Sequence, residues 1–135
     1  MSDVALINCG VPQGSVLGPI LFLIYINDII QASKKLEFYL FADDTTIFFS
    51  DNGKQNSQQI LNFELNKVFD WLVANKLSLN IKKSNFLFFT KNRTKFKPIN
   101  VMINKVVVEE KIYTKYLGTY IDNKLNWKEP LMSYI

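Results

Sequence analysis

The sequence predicts an α+β domain, an antiparallel sheet with helices packed on one face. Three observations lead there. Eleven Phe and six Tyr, among many Ile, Leu and Val, favour strands over a plain helical bundle. The β-prone runs come in pairs around short polar breaks, which is how hairpins look in sequence. Between them runs one long stripe of apolar residues at helical spacing. A chain of 135 residues with 48% hydrophobic content fits one compact domain and suffices for a packed core.

In order along the chain, Gly10-Val11-Pro12-Gln13-Gly14-Ser15 reads as a turn punctuated by two glycines and a proline. Ser15 can cap a following helix, and Pro19 is tolerated only near that helix's first turn, where its missing N–H costs nothing. The helix from Leu17 to Ile30 is apolar on nearly every side, so burial on most faces is expected. Leu36 to Phe41 and Thr45 to Phe49 then flank Ala42-Asp43-Asp44, a hairpin with both acids at its tip. Asp51-Asn52-Gly53 forms a loop. From Ser57 to Asn75, Leu61, Leu65, Val68, Phe69 and Leu72 make an amphipathic helix that packs on a sheet face. Leu77, Leu79 and Ile81 alternate, and Phe86 to Phe89 reads as a strand. Ile99–Ile103 and Val106–Val108, joined through Asn104-Lys105, predict a second hairpin. Tyr116 to Ile121 predicts a last strand before a polar tail that includes Trp127.

Composition narrows the chemistry. One cysteine, Cys9, excludes an internal disulfide, and the absence of His with it excludes the usual zinc sites and histidine-based triads. Metal chemistry must then run on carboxylates, which points to hard ions such as Mg2+ or Mn2+. Residues 1–81 carry five Lys/Arg against eight Asp/Glu, whereas residues 82–135 carry eleven against four. An acidic half beside a basic half suits a carboxylate–metal site acting on a polyanion; a solvated lysine face explains the same numbers. No signal peptide is visible at Met1-Ser2-Asp3-Val4, and the apolar run Val16–Ile30 is short for a membrane span and contains Asn27 and Asp28. An intracellular protein with no membrane partner is expected.

Asp43-Asp44 is the most informative pair. Two adjacent carboxylates flanked by Phe41 and Ile47-Phe48-Phe49 repel one another unless a cation neutralises them. A divalent ion does so, and in phosphoryl transfer two such ions about 3.5–4 Å apart hold the attacking and leaving oxygens. A solvated Asp-Asp turn is the alternative when the pair is taken alone.

The pair is not alone. Gly10-Val11-Pro12-Gln13-Gly14-Ser15-Val16-Leu17-Gly18-Pro19 precedes Phe41-Ala42-Asp43-Asp44 by about thirty residues, and together they resemble the two signature boxes of reverse transcriptases. Leu21 to Ile29 resembles the apolar helix after the first box. Trp71-Leu72, Asn75-Lys76-Leu77-Ser78-Leu79-Asn80 and Lys82-Lys83-Ser84 resemble the next block, and Lys115 to Asp122 resembles the block associated with gripping the primer. Four blocks in order, over roughly residues 9 to 122, resemble non-LTR retrotransposon enzymes more than retroviral or group II intron ones.

The resemblance implies a partial polymerase palm over residues 1–122, with 123–135 the start of a palm–thumb connection or a disordered tail. It implies an RNA-directed DNA polymerase that adds deoxynucleotides to a primer 3′ hydroxyl with Mg2+ or Mn2+, its partners an RNA template, a DNA primer and deoxynucleoside triphosphates. Asp43 and Asp44 would be metal-site acids. Phe41, where many members have Tyr, and Ala42 would lie beside the primer terminus or incoming nucleotide. Pro12, Gln13 and Gly14 would line the template and nucleotide pocket. Leu117 and Gly118 would hold the primer. Lys83 could neutralise or protonate the leaving pyrophosphate; its cluster with Lys82, Lys91, Arg93, Lys95 and Lys97 equally fits a sequence-independent phosphate surface.

Family members carry a further metal-bridging Asp upstream of the first box, and Asp3 sits in no matching context. A partial site, missing an upstream part of the polymerase and inactive in isolation, is therefore expected. A non-catalytic nucleic-acid-binding remnant is the alternative function, and a transposon remnant that folds poorly is the third reading. An RNA-templated RNA polymerase shares the paired acids but not the first box.

Overall fold

The computed structural model describes residues 14–51, 56–90 and 98–125. The chain divides into two compact units, residues 1–50 and 51–135.

In the first unit, helix α1 (Leu17–Ile26) continues into a 3-10 turn over Asn27–Ala32. The single helix expected through Ile30 therefore changes form at Asn27-Asp28, whose short polar side chains compete with helical backbone bonding. Ser15 Oγ accepts from the Leu17 N–H at 3.3 Å, but the N-cap position itself is Val16, so the cap expected of Ser15 is a turn bond one residue ahead of it. Pro19 occupies the third helical position, where no intrahelical N–H bond is lost. Burial departs from expectation. Only Ile26 of α1 is buried, and Ile24 is 68% exposed. A ten-residue helix that is apolar all round needs neighbours on every side. The only other regular elements described in this unit are the 3-10 turn and one two-stranded hairpin. Buried Ser33 closes the connection, its Oγ accepting from the N–H groups of Lys35 (3.1 Å) and Leu36 (3.3 Å). Strands β1 (Glu37–Phe41) and β2 (Asp44–Phe48) follow as an antiparallel pair.

The second unit is built on α2 (Ser57–Ala74), whose expected stripe is present: Leu65, Val68 and Leu72 are buried, Leu61 and Phe69 partly so. The stop after it is a Schellman motif. The Lys76 N–H donates to the Val73 carbonyl (3.0 Å) and the Leu77 N–H to the Leu72 carbonyl (2.8 Å), with Lys76 left-handed at φ 54°. Asn75 adds its side-chain Nδ2 to the Trp71 carbonyl at 2.9 Å. The Asn75-Lys76-Leu77 stretch is thus a helix terminator made without glycine.

A 3-10 turn over Ile81–Lys83 follows, then β3 (Asn85–Phe86), shorter than the strand expected over Phe86–Phe89. Strands β4 (Met102–Ile103) and β5 (Val106–Val107) form the second expected hairpin. Both turn residues are left-handed, Asn104 at φ 47° and Lys105 at φ 64°, the signature of a type I′ turn. Strand β6 (Glu109–Glu110) pairs in parallel with β3. Strands β7 (Tyr113–Tyr116) and β8 (Thr119–Asp122) make a third hairpin. The single strand expected over Tyr116–Ile121 is therefore a correction: Leu117 (φ 46°) and Gly118 (φ 84°) reverse the chain in its middle.

One antiparallel sheet is also not what forms. Among the described residues there are four two-stranded pairs, three antiparallel and one parallel. The strands of the second unit are two to four residues long, short for a multi-stranded sheet.

What fastens α2 to the β4 hairpin is a row of side-chain amides. Gln58, Asn62 and Asn66 stand one helical step of four residues apart. The Asn100 N–H donates to Gln58 Oε1 (3.3 Å), Asn62 Nδ2 to the Asn100 carbonyl (3.1 Å), and the Met102 N–H to Asn62 Oδ1 (3.0 Å). The Asn104 N–H donates to Asn66 Oδ1 (2.8 Å), and Asn66 Nδ2 to the Asn62 carbonyl (2.7 Å). Four helical residues rise about 6.0 Å and two strand residues about 6.6 Å, so each amide meets alternate peptides of the strand. Beside the row, buried Val101 and Val108 close the hairpin with a backbone bond of 2.9 Å.

Candidate functional site

The β1–β2 hairpin turns in two residues. Phe41 pairs with Asp44, leaving Ala42 and Asp43 as the turn. Asp43 is thus in the turn itself and Asp44 is the first residue of the returning strand. Ala42 is left-handed at φ 51°, a conformation that costs a residue with a Cβ about 1–2 kcal/mol. Five cross-strand pairs hold that turn in place, with Asp43 inside it and Asp44 next to it in the strand.

Strand alternation places Glu37, Tyr39, Phe41, Asp44, Thr46 and Phe48 on one face. Tyr39 and Phe48 meet edge-to-face with centroids 5.2 Å apart, and Phe41, 60% exposed, stands at the end of this aromatic strip directly across from Asp44. The apolar residues that flank the acids in sequence do not enclose them: Asp43, in the turn, and Asp44, in the last strand pair, are both exposed.

As a donor set, two adjacent carboxylates fit a hard divalent cation in kind and supply part of an octahedral oxygen shell. No group of three or more potential ligating side chains occurs among the described residues.

The other expected site residues stand as follows. Gly14 is exposed at φ 90° just ahead of α1, a conformation suited to glycine, while Pro12 and Gln13 lie outside the described residues. Lys83 is exposed at the end of the 3-10 turn, whose closure is made by the Lys83 N–H to the Asn80 carbonyl (3.1 Å) and by Ser84 Oγ to the same carbonyl (3.0 Å). Lys91, Arg93, Lys95 and Lys97 lie outside the described residues. Leu117 and Gly118 are the two turn residues of the β7–β8 hairpin, both exposed. The hairpin brings Phe41, Ala42, Asp43 and Asp44 together in the first unit; Lys83, Leu117 and Gly118 belong to the second.

Sequence reasoning did not single out Tyr113, whose ring meets that of Tyr120 across the β7–β8 hairpin. Tyr120 is 43% exposed on the β7–β8 hairpin. The signal was present as alternation, Tyr113, Lys115, then Tyr120 after a two-residue turn, but that turn was not recognised.

Among the described residues no helix is long and apolar enough to cross a membrane. No solved structure matches the chain. Among curated proteins, the chain is 31% identical over 128 residues to the probable RNA-directed DNA polymerase from transposon X-element of Drosophila melanogaster, covering 91% of this chain and 14% of that protein. It is 30% identical over 139 residues to the RNA-directed DNA polymerase from mobile element jockey of Drosophila funebris, covering 98% of this chain and 15% of that protein. A Pol polyprotein from a type-1 retrotransposable element R1 of Bradysia coprophila is 22% identical over 88% of the chain. The chain therefore spans about one seventh of the length of the first two relatives. The family model described as reverse transcriptase (RNA-dependent DNA polymerase) matches residues 3–121, a stretch that includes both the Gly10–Pro19 sequence and the acid-tipped hairpin. With these retrotransposon polymerases as its relatives, the chain is a partial reverse transcriptase region and belongs to that family.

Proposed function

We propose that the chain is part of the catalytic palm of an RNA-directed DNA polymerase of the non-LTR kind, which extends a DNA primer along an RNA template. The observation that carries this reading is the exposed Ala42-Asp43 turn, which presents Asp43 and Asp44 together inside a region matching the reverse transcriptase family. Asp43 and Asp44 would hold Mg2+ or Mn2+, and the ion's chemistry there is charge neutralisation at the phosphates of an incoming deoxynucleotide. Phe41 and Ala42 flank that point, and Pro12, Gln13 and Gly14 line the template and nucleotide pocket. Lys83 offers a cation to the leaving pyrophosphate, and Leu117 and Gly118 bear on the primer. Among the described residues no third carboxylate joins the pair, which would leave the ions under-liganded, and on this reading the chain by itself does not polymerise.

The test separates metal from catalysis. Mn2+ titrated into the labelled chain should broaden the amide signals of Ala42 to Thr45 first, and Asp43→Asn with Asp44→Asn should abolish the effect. Broadening that ignores those substitutions rejects the metal site. A magnesium-dependent primer-extension assay on an RNA template should give no product with the purified chain; robust extension rejects the claim of inactivity.

A second reading, a non-catalytic nucleic-acid-binding module, is favoured by the net charge of +7 over residues 82–135. It requires salt-dependent binding that persists in the doubly substituted chain.

A further inference from the structure

Between Asp3 and Asp28 the sequence holds no charged residue, and helix α1 lies wholly within that stretch. One side of the helix serves its own unit through buried Ile26 and, in the 3-10 turn that follows, buried Ile29. The opposite side carries a stripe at the i, i+4, i+7, i+11 spacing: Leu17, Leu21, Ile24 and Asp28. Leu17 is 61%, Leu21 48% and Ile24 68% exposed, with Ile20 beside them at 52%. Asp28, exposed in the 3-10 turn, ends the stripe with its one charge. The other end has no counterpart to it. The N-cap Val16 makes no side-chain bond and the first turn holds no acid, so the positive pole of the helix dipole stands without a counter-charge.

Reversed end for end, the stripe matches itself. A two-fold axis through its midpoint sets Leu21 of one copy against Ile24 of the other, and Asp28 of each against the Leu17 turn of the other. Leu17 lies roughly 8 Å from that midpoint along the helix, and Asp28 roughly 9 Å once the longer 3-10 rise is counted. The two ends therefore coincide, and each carboxylate meets an uncompensated helix pole. A surface whose only charge is negative gives a polyanion nothing to hold. A ten-residue helix covers less than the about 800 Å2 per partner of a standard interface, so the pair exchanges with monomer.

We propose that α1 is a self-pairing surface, through which two copies of this chain join antiparallel about a two-fold axis, with Asp28 of each at the helix N-terminus of the other. The pairing does not depend on the polymerase reading, which the Mn2+ titration at Ala42 to Thr45 tests separately.

The experiment is sedimentation velocity of the full 135-residue chain over about a hundredfold range of concentration. A reversible monomer–dimer equilibrium is expected. Ile24→Glu, which sets a carboxylate against Leu21 of the other copy, should raise the dimer Kd at least about tenfold. Asp28→Asn should raise it about two- to fivefold, and Asp28→Lys further, since a cation then meets the positive pole. The Asp28 effect should fade as salt is added, which a merely structural role would not do. Unchanged amide exchange in the β1–β2 hairpin shows that each variant is folded, and Asp28→Asn decides the case if Ile24→Glu is not. A monomer at every concentration overturns the proposal, as does a particle that grows without limit. A dimer indifferent to both substitutions overturns it too and assigns the association to another face.

Discussion

The acid-tipped hairpin of the first unit and the lysine-bearing hairpin of the second are built on the same plan and put their chemistry in different places. Each reverses the chain in two residues, Ala42-Asp43 in one and Leu117-Gly118 in the other. In the first, Ala42 is left-handed and Asp43 is not, the φ pattern of a type II′ turn; in the second both residues are left-handed, as type I′ requires. The first puts one carboxylate in the turn and the next at the start of the returning strand, at the end of the aromatic strip, with both exposed. The second leaves the turn to Leu and Gly and puts its aromatic and cationic groups on the flank. Turn tips suit small, hard ligands; strand faces suit flat, extended ones.

Three variants break or sharpen that contrast. The largest effect falls on the acids: Asp43→Asn with Asp44→Asn should lower Mn2+ affinity at least tenfold in the titration above, while leaving amide exchange in the second hairpin unchanged. Next is Gly118→Val. At φ 84° a β-branched residue is strained, so the second hairpin should lose about 2 kcal/mol, read as faster amide exchange at Tyr113–Asp122 in the second unit alone. The smallest is Ala42→Gly. It relieves the left-handed alanine but adds freedom to the unfolded chain, for a net gain of about 0.5 kcal/mol in the first hairpin's exchange protection.

Much of this was legible in the residues. The α2 stripe needed only the spacing of Leu61, Leu65, Val68, Phe69 and Leu72, and the acid tip only the polar break between two β-prone runs. The β4–β5 turn was legible because Asn is at ease in left-handed backbone. The β7–β8 turn was hidden for the opposite reason, since Leu117 is a residue that rarely adopts φ 46°. The parallel pairing of Asn85-Phe86 with Glu109-Glu110 joins segments distant in sequence, and no local pattern encodes it. The exposure of α1 could not be read either: apolar side chains state a preference for burial, and only the neighbours decide whether it is met. Of the site, the four residues from Phe41 to Asp44 were local and therefore readable. The flank formed by Lys115 and Tyr120 waited on knowing where the strand turned.

The amide row between α2 and the β4 hairpin has a geometric corollary. Helix and strand advance at unequal rates, so every rung drifts by about 0.6 Å relative to the last. Three rungs, at Gln58, Asn62 and Asn66, keep the accumulated error near about 1.2 Å, and a fourth or fifth would stretch past what a hydrogen bond tolerates. The row therefore works as a vernier with one coincidence. Sliding the strand by a single residue would turn its peptide groups to the opposite side and leave all three amides facing the wrong partners, which apolar contacts alone would not penalise.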